Sequence, residues 1–459
     1  MIYKKLVSLL IVLFFAENLF SISFEELIYF TLESNSDIKT SQLAYEKGKL
    51  STKFSDGSYS PELILSTSMT IPKKYKWNTL PDYYASGITY AQPLPGGANL
   101  SFNTSYSFDS YILQEQIFLS QTPNISFSLS QSLLPFWAQG TIQDPVKLSL
   151  KQKEEYLYYQ FLYAKKNVLL NLFQNYVYAL ITLNEISIYQ NIIALYEKQI
   201  ETFNELKASG NISQSKILEI ENSKWNTQQS LMNTQTQYIE HLQIIESICG
   251  KNLDGETLAD IIDNNSISIL FDIIDSANDP LEQTYKLKLA LLKSTRILDK
   301  QSYAPVITFS VQPKLSLPVT KEDDWKTAWE DFPNSASWNL SIGLNLSPIF
   351  SDIAKQNNNL YKLDYEDTNR SYNEYLKQKN FVKQQYKTLL EHYINQNETV
   401  SLLYESSLKE FNDFKQQYEV AAISQLDFES VRIQKENIQL TKECVNLYIC
   451  LYDMLIKIN

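Results

Sequence analysis

The chain has 459 residues, 52 acidic against 40 basic side chains, a formal net charge of −12, and 13% aromatics with 31 tyrosines. An acidic balance without a long basic run excludes the electrostatic footprint of nucleic-acid binding. Ten glycines and 14 prolines leave room for long unbroken helices rather than several ordinary domains, and two histidines and three cysteines without ligand-like spacing exclude metal chemistry and a disulfide framework.

Lys4 and Lys5 precede an apolar run of 11 residues, Leu6–Ala16, which is too short to span a membrane and predicts a signal peptide over residues 1–21, cleaved after Ala16 or Ser21. No cysteine lies nearby, so a lipid anchor is not expected, and no later segment reaches about 18 continuous apolar residues. A helix is expected from Phe24 to about Phe54.

Strand patterns follow Tyr59-Ser60-Pro61. In Glu62–Ile71, Leu63, Leu65, Met69 and Ile71 share one face, with Ser66, Ser68 and Thr70 on the other. Ile88 and Tyr90 alternate with Thr89 and Ala91, and Leu100, Phe102, Tyr106 and Phe108 with Ser101, Asn103, Ser105 and Ser107, around the turn residues Pro95-Gly96-Gly97. This pair fits two places, either within a barrel wall or as an extramembrane hairpin. In Ile125–Leu133 the residues Ile125, Phe127, Leu129 and Leu133 oppose four serines, and the segment closes at Leu134-Pro135-Phe136.

From about Val146 to Lys207 there is neither Gly nor Pro, a helix on the order of 90 Å long. Leu162, Leu169, Tyr176 and Leu183 recur every seven residues, and Leu172, Ala179, Ile186, Ile193 and Ile200 form a second series offset by three. That is the seam of a coiled coil. A turn at Gly210-Asn211-Ile212-Ser213-Gln214 leads into helix over 215–248, and residues 250–279 form a connector.

The order then repeats. A helix over about 280–301 reaches Tyr303-Ala304-Pro305. Val306–Leu317 and Trp338–Ser347 alternate as strands around a long charged connection, residues 318–336. Helices over 352–420 and 426–457 flank a turn at Ile423-Ser424-Gln425. From Pro135 to Ile212 is 77 residues, and from Pro348 to Ile423 is 75, a spacing that marks an internal duplication. The first repeat is longer between its proline marks, 74 residues from Pro61 to Pro135 against 43 from Pro305 to Pro348, and the surplus holds the extra alternating pair. Alternating segments of about ten residues match tilted strands crossing a bilayer. A soluble sheet with one buried face is the competing reading of any single one. Four together in an exported chain point to a membrane barrel, with residues 72–87, 109–123 and 318–336 as loops on one side.

The two repeats, Tyr59-Ser60-Pro61 and Tyr303-Ala304-Pro305 at the helix-to-strand switches, Ser130-Gln131-Ser132-Leu133-Leu134-Pro135, and the turns Gly210-Asn211-Ile212-Ser213 and Ala421-Ala422-Ile423-Ser424 resemble the TolC family of outer-membrane channel proteins over nearly the whole chain. The resemblance implies a mixed α and transmembrane β fold. In it an internally duplicated strand-strand-long-helix-hairpin protomer forms a trimeric outer-membrane β-barrel, twelve strands from four per subunit, continued by a periplasmic α-helical barrel. It implies an exit duct for efflux or type I secretion. The partners implied are a periplasmic adaptor (membrane fusion) protein, an inner-membrane RND or ABC transporter and outer-membrane lipid. No cofactor, catalytic residue or nucleic acid is expected.

The resemblance also places a candidate gate at Asp427 with Glu429 beside it, and adaptor-docking turns at Gly210, Ile212, Ser213, Ala421, Ile423 and Ser424. A ring of three Asp427 carboxylates attracts cations. The competing role of Asp427 is an acidic residue in a helix's first turn, favoured by the dipole. Lys216 stands at the matching position of the first repeat. A second function from another class also fits the helices, a periplasmic coiled-coil scaffold or adaptor with a soluble β domain. No phosphate loop, nucleophile elbow or histidine pair supports an enzyme.

Overall fold

A computed structural model describes residues 21–55, 60–70, 83–94, 98–113, 116–133, 145–208, 212–253, 257–258, 268–270, 279–302, 304–314, 320–321, 337–346 and 352–458. The expected signal segment up to residue 20, and Gly210, lie outside these residues.

In chain order the elements are β1 (Ser21–Ile22), α1 (Phe24–Ser34), α2 (Ser36–Ser55), β2 (Glu62–Thr70), β3 (Tyr83–Leu94), β4 (Ala98–Leu113), β5 (Gln116–Ser132), α3 (Pro145–Ala208), α4 (Gln214–Cys249), β6 (Thr257–Leu258), α5 (Pro280–Ser302), β7 (Val306–Lys314), β8 (Thr320–Lys321), β9 (Ser337–Asn345), α6 (Asp352–Glu419) and α7 (Gln425–Ile458). The chain forms two compact units, each drawn from both repeats. One comprises Met1–Leu43, Tyr159–Gln283 and Tyr372–Asn459, the other Ala44–Tyr158 and Thr284–Ser371.

The first unit is helical. Ser23 caps α1 through a capping box, its hydroxyl accepting from the Glu26 amide while the Glu26 carboxylate accepts from the Ser23 amide. The helix expected to run unbroken to residue 54 stops at Asn35, whose extended backbone and side-chain oxygen, accepting from the amides of Asp37 and Ile38, start α2 afresh. Phe24, Leu27 and Ile28 of α1 pack with Leu169, Leu172, Phe173, Tyr176 and Val177 of α3, Ile245 and Cys249 of α4, and Leu451 and Met454 of α7. The Phe24 ring meets Phe173 edge-on at 5.6 Å. The middle of both heptad series (Leu169, Tyr176; Leu172, Ala179, Ile186) is buried, while Ile193 and Ile200 stay half-exposed. Beside this core Tyr393 of α6 stacks on Tyr448 of α7 at 4.4 Å, and Tyr178 stacks on His241 at 5.5 Å. All three cysteines are free, with Cys249 and Cys444 buried, and burial pushes the Cys444 thiol up to about 12.

The second unit holds a seven-stranded antiparallel sheet in the order β2-β3-β4-β5-β7-β9, with the short β8 lying off this path against β5. Here the four strands per subunit implied by the resemblance and two of the expected loops are corrected. The extra alternating pair, left open by the sequence between two places, pairs within the sheet. It is β3 and β4, inserted between β2 and β5 and paired along its length with both. A protomer therefore presents six long strands rather than four. Residues 83–87 and 109–123, expected as loops, belong largely to strands, because the alternation of β4 and β5 carries their ladder out to the pair Leu113 and Gln116.

The register aligns the faces. One row across the sheet reads Leu63, Tyr90, Phe102, Phe127, Val311 and Leu340. The row beside it, on the opposite face, reads Glu62, Ala91, Ser101, Ser128, Ser310 and Ser341, with the Oγ atoms of Ser101 and Ser128, and of Ser310 and Ser341, each 2.6 Å apart. At the middle of β3, β4 and β5 the apolar face is the more exposed one, with Ile88, Tyr90 and Phe102 exposed and Thr89, Ala91, Ser101 and Asn103 half-buried. In β5 Ile125, Phe127 and Leu129 are exposed while Ser126, Ser128 and Ser130 are half-buried. A water-soluble sheet shows the reverse. The edge strands β2 and β9 are exposed on both faces, Leu340 by 67% and Ile342 by 77%.

Candidate functional site

The two helix-hairpin turns carry every residue singled out from the sequence as gate or docking site. In the first turn α3 ends at Ala208 and α4 begins at Gln214, with Ser213 at the N-cap position but making no side-chain cap bond. Ile212 is half-buried, Ser213 is exposed, and Ile217 one turn on is buried. Lys207 donates to the Gln214 side chain across the turn.

The second turn is built differently. The Ala422 amide donates to the Gln417 carbonyl at 2.8 Å and the Ala421 amide to the Tyr418 carbonyl at 2.9 Å. This is a Schellman closure, whose pivot takes left-handed backbone. The pivot is Ala421, the one non-glycine residue with positive φ (57°) among the described residues. Three residues on, Ser424 caps the start of α7. Its hydroxyl accepts from the Asp427 amide at 3.2 Å and donates to the Asp427 carboxylate at 2.5 Å. Asp427 thus stands in the first turn of α7, solvent-exposed and tied to its own cap. Ile423 is half-buried between these two closures.

Glu429 lies in a different environment. It is half-buried and accepts from Arg432 at 2.5 Å, while Lys198 of α3 lies 3.3 Å away. Partial burial alone raises its carboxyl, but the two cations outweigh that and hold it below the usual glutamate range. Phe428 between them stacks on Tyr418 at 4.8 Å and on Phe411 at 5.7 Å, so α6 and α7 are joined by an aromatic clasp directly behind the turn. Asp427 and Glu429, neighbours in sequence, are therefore not one acidic site. One faces solvent and the other is paired.

Lys198 and Arg432 were not singled out from the sequence. Arg432 was findable, since it lies one helical turn from Glu429, whereas nothing local links Lys198 to Glu429. A second missed feature is an apolar series on α4, Leu218, Trp225, Met232 and Ile239, seven residues apart and all exposed, Trp225 by 63% and Met232 by 67%. Its heptad spacing is legible in the sequence.

The helical unit also contains a half-buried polar cluster where α5 begins. Asp279 caps α5 by accepting from the Leu281 amide at 3.1 Å, and its other oxygen accepts from Tyr375 and Lys379. Glu282 accepts from Tyr372 at 3.3 Å. Lys166 donates to the Ile458 carbonyl at 2.8 Å and so ties α3 to the end of α7. These bonds satisfy the groups they bury and leave no reactive constellation. Among the described residues no group of three His, Cys, Asp or Glu could hold a metal ion.

No family model and no curated protein sequence matches the chain. Solved structures do. The outer-membrane channel OprN matches with a TM-score of 0.59 at 10% identity, over 95% of this chain and 88% of that one. The Campylobacter jejuni CmeC outer-membrane channel gives 0.58 at 12%, over 95% and 84%. The outer-membrane protein VceC of Vibrio cholerae gives 0.59 at 10%, over 95% and 94%. At such low identity the likeness concerns the fold, and it spans both repeats. The chain has the fold of the TolC-like outer-membrane channels.

Proposed function

We propose that the protein is an outer-membrane channel, a homotrimer that conducts solutes passively as the exit duct of an efflux or type I secretion assembly. The observation that carries this reading is the inverted sheet, an exposed apolar face backed by rows of serine, threonine and asparagine. Lipid is the solvent such a face matches, and a polar lumen is what the other face matches. Sheet edges are not tolerated in lipid, so β2 and β9, each with one strand neighbour among the described residues, need other copies of the chain to close the wall. The exposed heptad series on α4 supports the same oligomer from the helical unit.

In this reading the wall, lined mainly by serine, threonine and asparagine with a few charged side chains such as Glu62, Asp109 and Lys314, moves solute without chemistry or cofactor. Energy comes from an inner-membrane transporter of the RND or ABC type, coupled through a periplasmic adaptor that docks at the turns bearing Gly210, Ile212, Ser213, Ala421, Ile423 and Ser424. Asp427, exposed beside the second turn, supplies a ring of three carboxylates. The Glu429–Lys198 pair holds α7 to α3 in the closed state. The test is membrane fractionation followed by light scattering of the detergent extract. A trimer from the outer membrane is the expected result. A soluble periplasmic monomer or dimer replaces the channel with the scaffold reading.

A further inference from the structure

The insertion of β3 and β4 sets the size of the wall. We infer that the hairpin is part of the membrane barrel, so that three copies close eighteen strands, with β2 of each copy pairing antiparallel to β9 of the next. This rests on the channel reading above and adds to it the architecture of the pore.

Three observations carry the inference. First, the ladder is continuous. β2 pairs with β3 from Glu62–Ala91 to Thr70–Tyr83, β3 with β4 from Tyr83–Asp109 to Leu94–Ala98, and β4 with β5 throughout, so β2 has no pairing with β5. A hairpin standing outside the wall leaves β2 and β5 adjacent instead.

Second, the hairpin has the same two faces as the rest of the sheet. Tyr90 and Phe102 fall in the apolar row between Leu63 and Phe127, and Ala91 and Ser101 in the opposite row between Glu62 and Ser128. Ile88, Tyr90 and Phe102 are exposed, like Leu340 and Ile342 on β9. An extramembrane hairpin has no reason to expose this face in step with lipid-facing strands.

Third, the ends are consistent. β3 ends and β4 begins at the end of the sheet where β5 finishes and β7 begins, and at the other end β4 passes to β5 within two residues, so the hairpin spans the sheet from end to end. Six is also an even number, so β2 and β9 run in opposite directions and every copy-to-copy junction is antiparallel, like every junction within this sheet. Closure then removes all strand edges. Because barrel diameter grows roughly linearly with strand number, this wall is roughly one and a half times as wide as one built from four strands per copy.

The experiment images the full-length trimer in lipid nanodiscs and counts strands, with three arginine substitutions assayed beside it for trimer in native outer membranes. Phe102→Arg is on the apolar face of the hairpin, Ser101→Arg on its polar face, and Leu340→Arg on β9, which lies in the wall with or without the hairpin. An eighteen-stranded barrel is expected. Trimer should fall on the order of tenfold or more for both Phe102→Arg and Leu340→Arg, with little change for Ser101→Arg. A trimeric barrel of twelve strands, with Phe102→Arg tolerated while Leu340→Arg is not, overturns the inference and leaves the channel intact. Tolerance of both apolar-face substitutions, or no membrane trimer at all, overturns the channel reading and this one with it.

Discussion

Ala421 occupies the left-handed position of the second turn with a side chain that disfavours it (φ 57°). An L-residue in that region costs roughly 1–2 kcal/mol relative to right-handed helix, and glycine avoids the penalty at the expense of a more flexible unfolded chain. Ala421→Gly should therefore stabilise the turn by about 1 kcal/mol net, read as a higher denaturation midpoint. Unchanged or lower stability means that the alanine methyl makes a compensating contact. Asp427 serves the cap of α7 and is also the gate candidate. Asp427→Asn separates these roles, since it removes the charge and keeps a side-chain oxygen facing Ser424. Reduced cation preference in planar-bilayer recordings is expected. Unaltered selectivity removes Asp427 from the gate and leaves it as a capping residue.

Between elements, the contact with the clearest pH signature is Glu429 of α7 against Lys198 of α3. The folded carboxyl is held below its ordinary value. Its stabilisation is therefore fully present above the ordinary glutamate range and is lost as pH falls through the lowered value. Acid should loosen α7 from α3 at the turn, seen as faster proteolysis near residues 205–220 and 415–430 or as higher conductance. Glu429→Gln should show the loosened behaviour already at neutral pH and lose the acid response. An acid response unchanged in Glu429→Gln assigns the effect to other groups. The α4 series makes a separate prediction. Leu218, Trp225, Met232 and Ile239 are exposed in one chain, and a continuous seam of that kind is a helix-packing surface. Replacing Trp225 and Met232 together by glutamate should convert detergent-extracted trimer to monomer by light scattering. A trimer that persists places the seam elsewhere.

Across the whole molecule, the alternating segments and heptads were legible because each rests on local periodicity. β7, read from the sequence as Val306–Leu317, spans Val306–Lys314, and β9, read as Trp338–Ser347, spans Ser337–Asn345. The hairpin was legible as two strands but its place between β2 and β5 was not, because alternation fixes which face a residue takes and not which strand lies beside it. The same limit hid Lys198, whose contact with Glu429 joins residues far apart in the chain, while the α4 seam was open to reading from its spacing alone. The central claim is that one face of this sheet meets lipid and the other water. Its most direct test is cysteine labelling in native outer membranes at Leu340 and Ser341 on β9, and at Phe127 and Ser128 on β5. The wild-type chain, with its three native cysteines, gives the background. The account predicts that Ser341→Cys and Ser128→Cys react with a water-soluble thiol reagent, whereas Leu340→Cys and Phe127→Cys react only with a lipid-soluble one. Equal reaction of all four with the water-soluble reagent contradicts it.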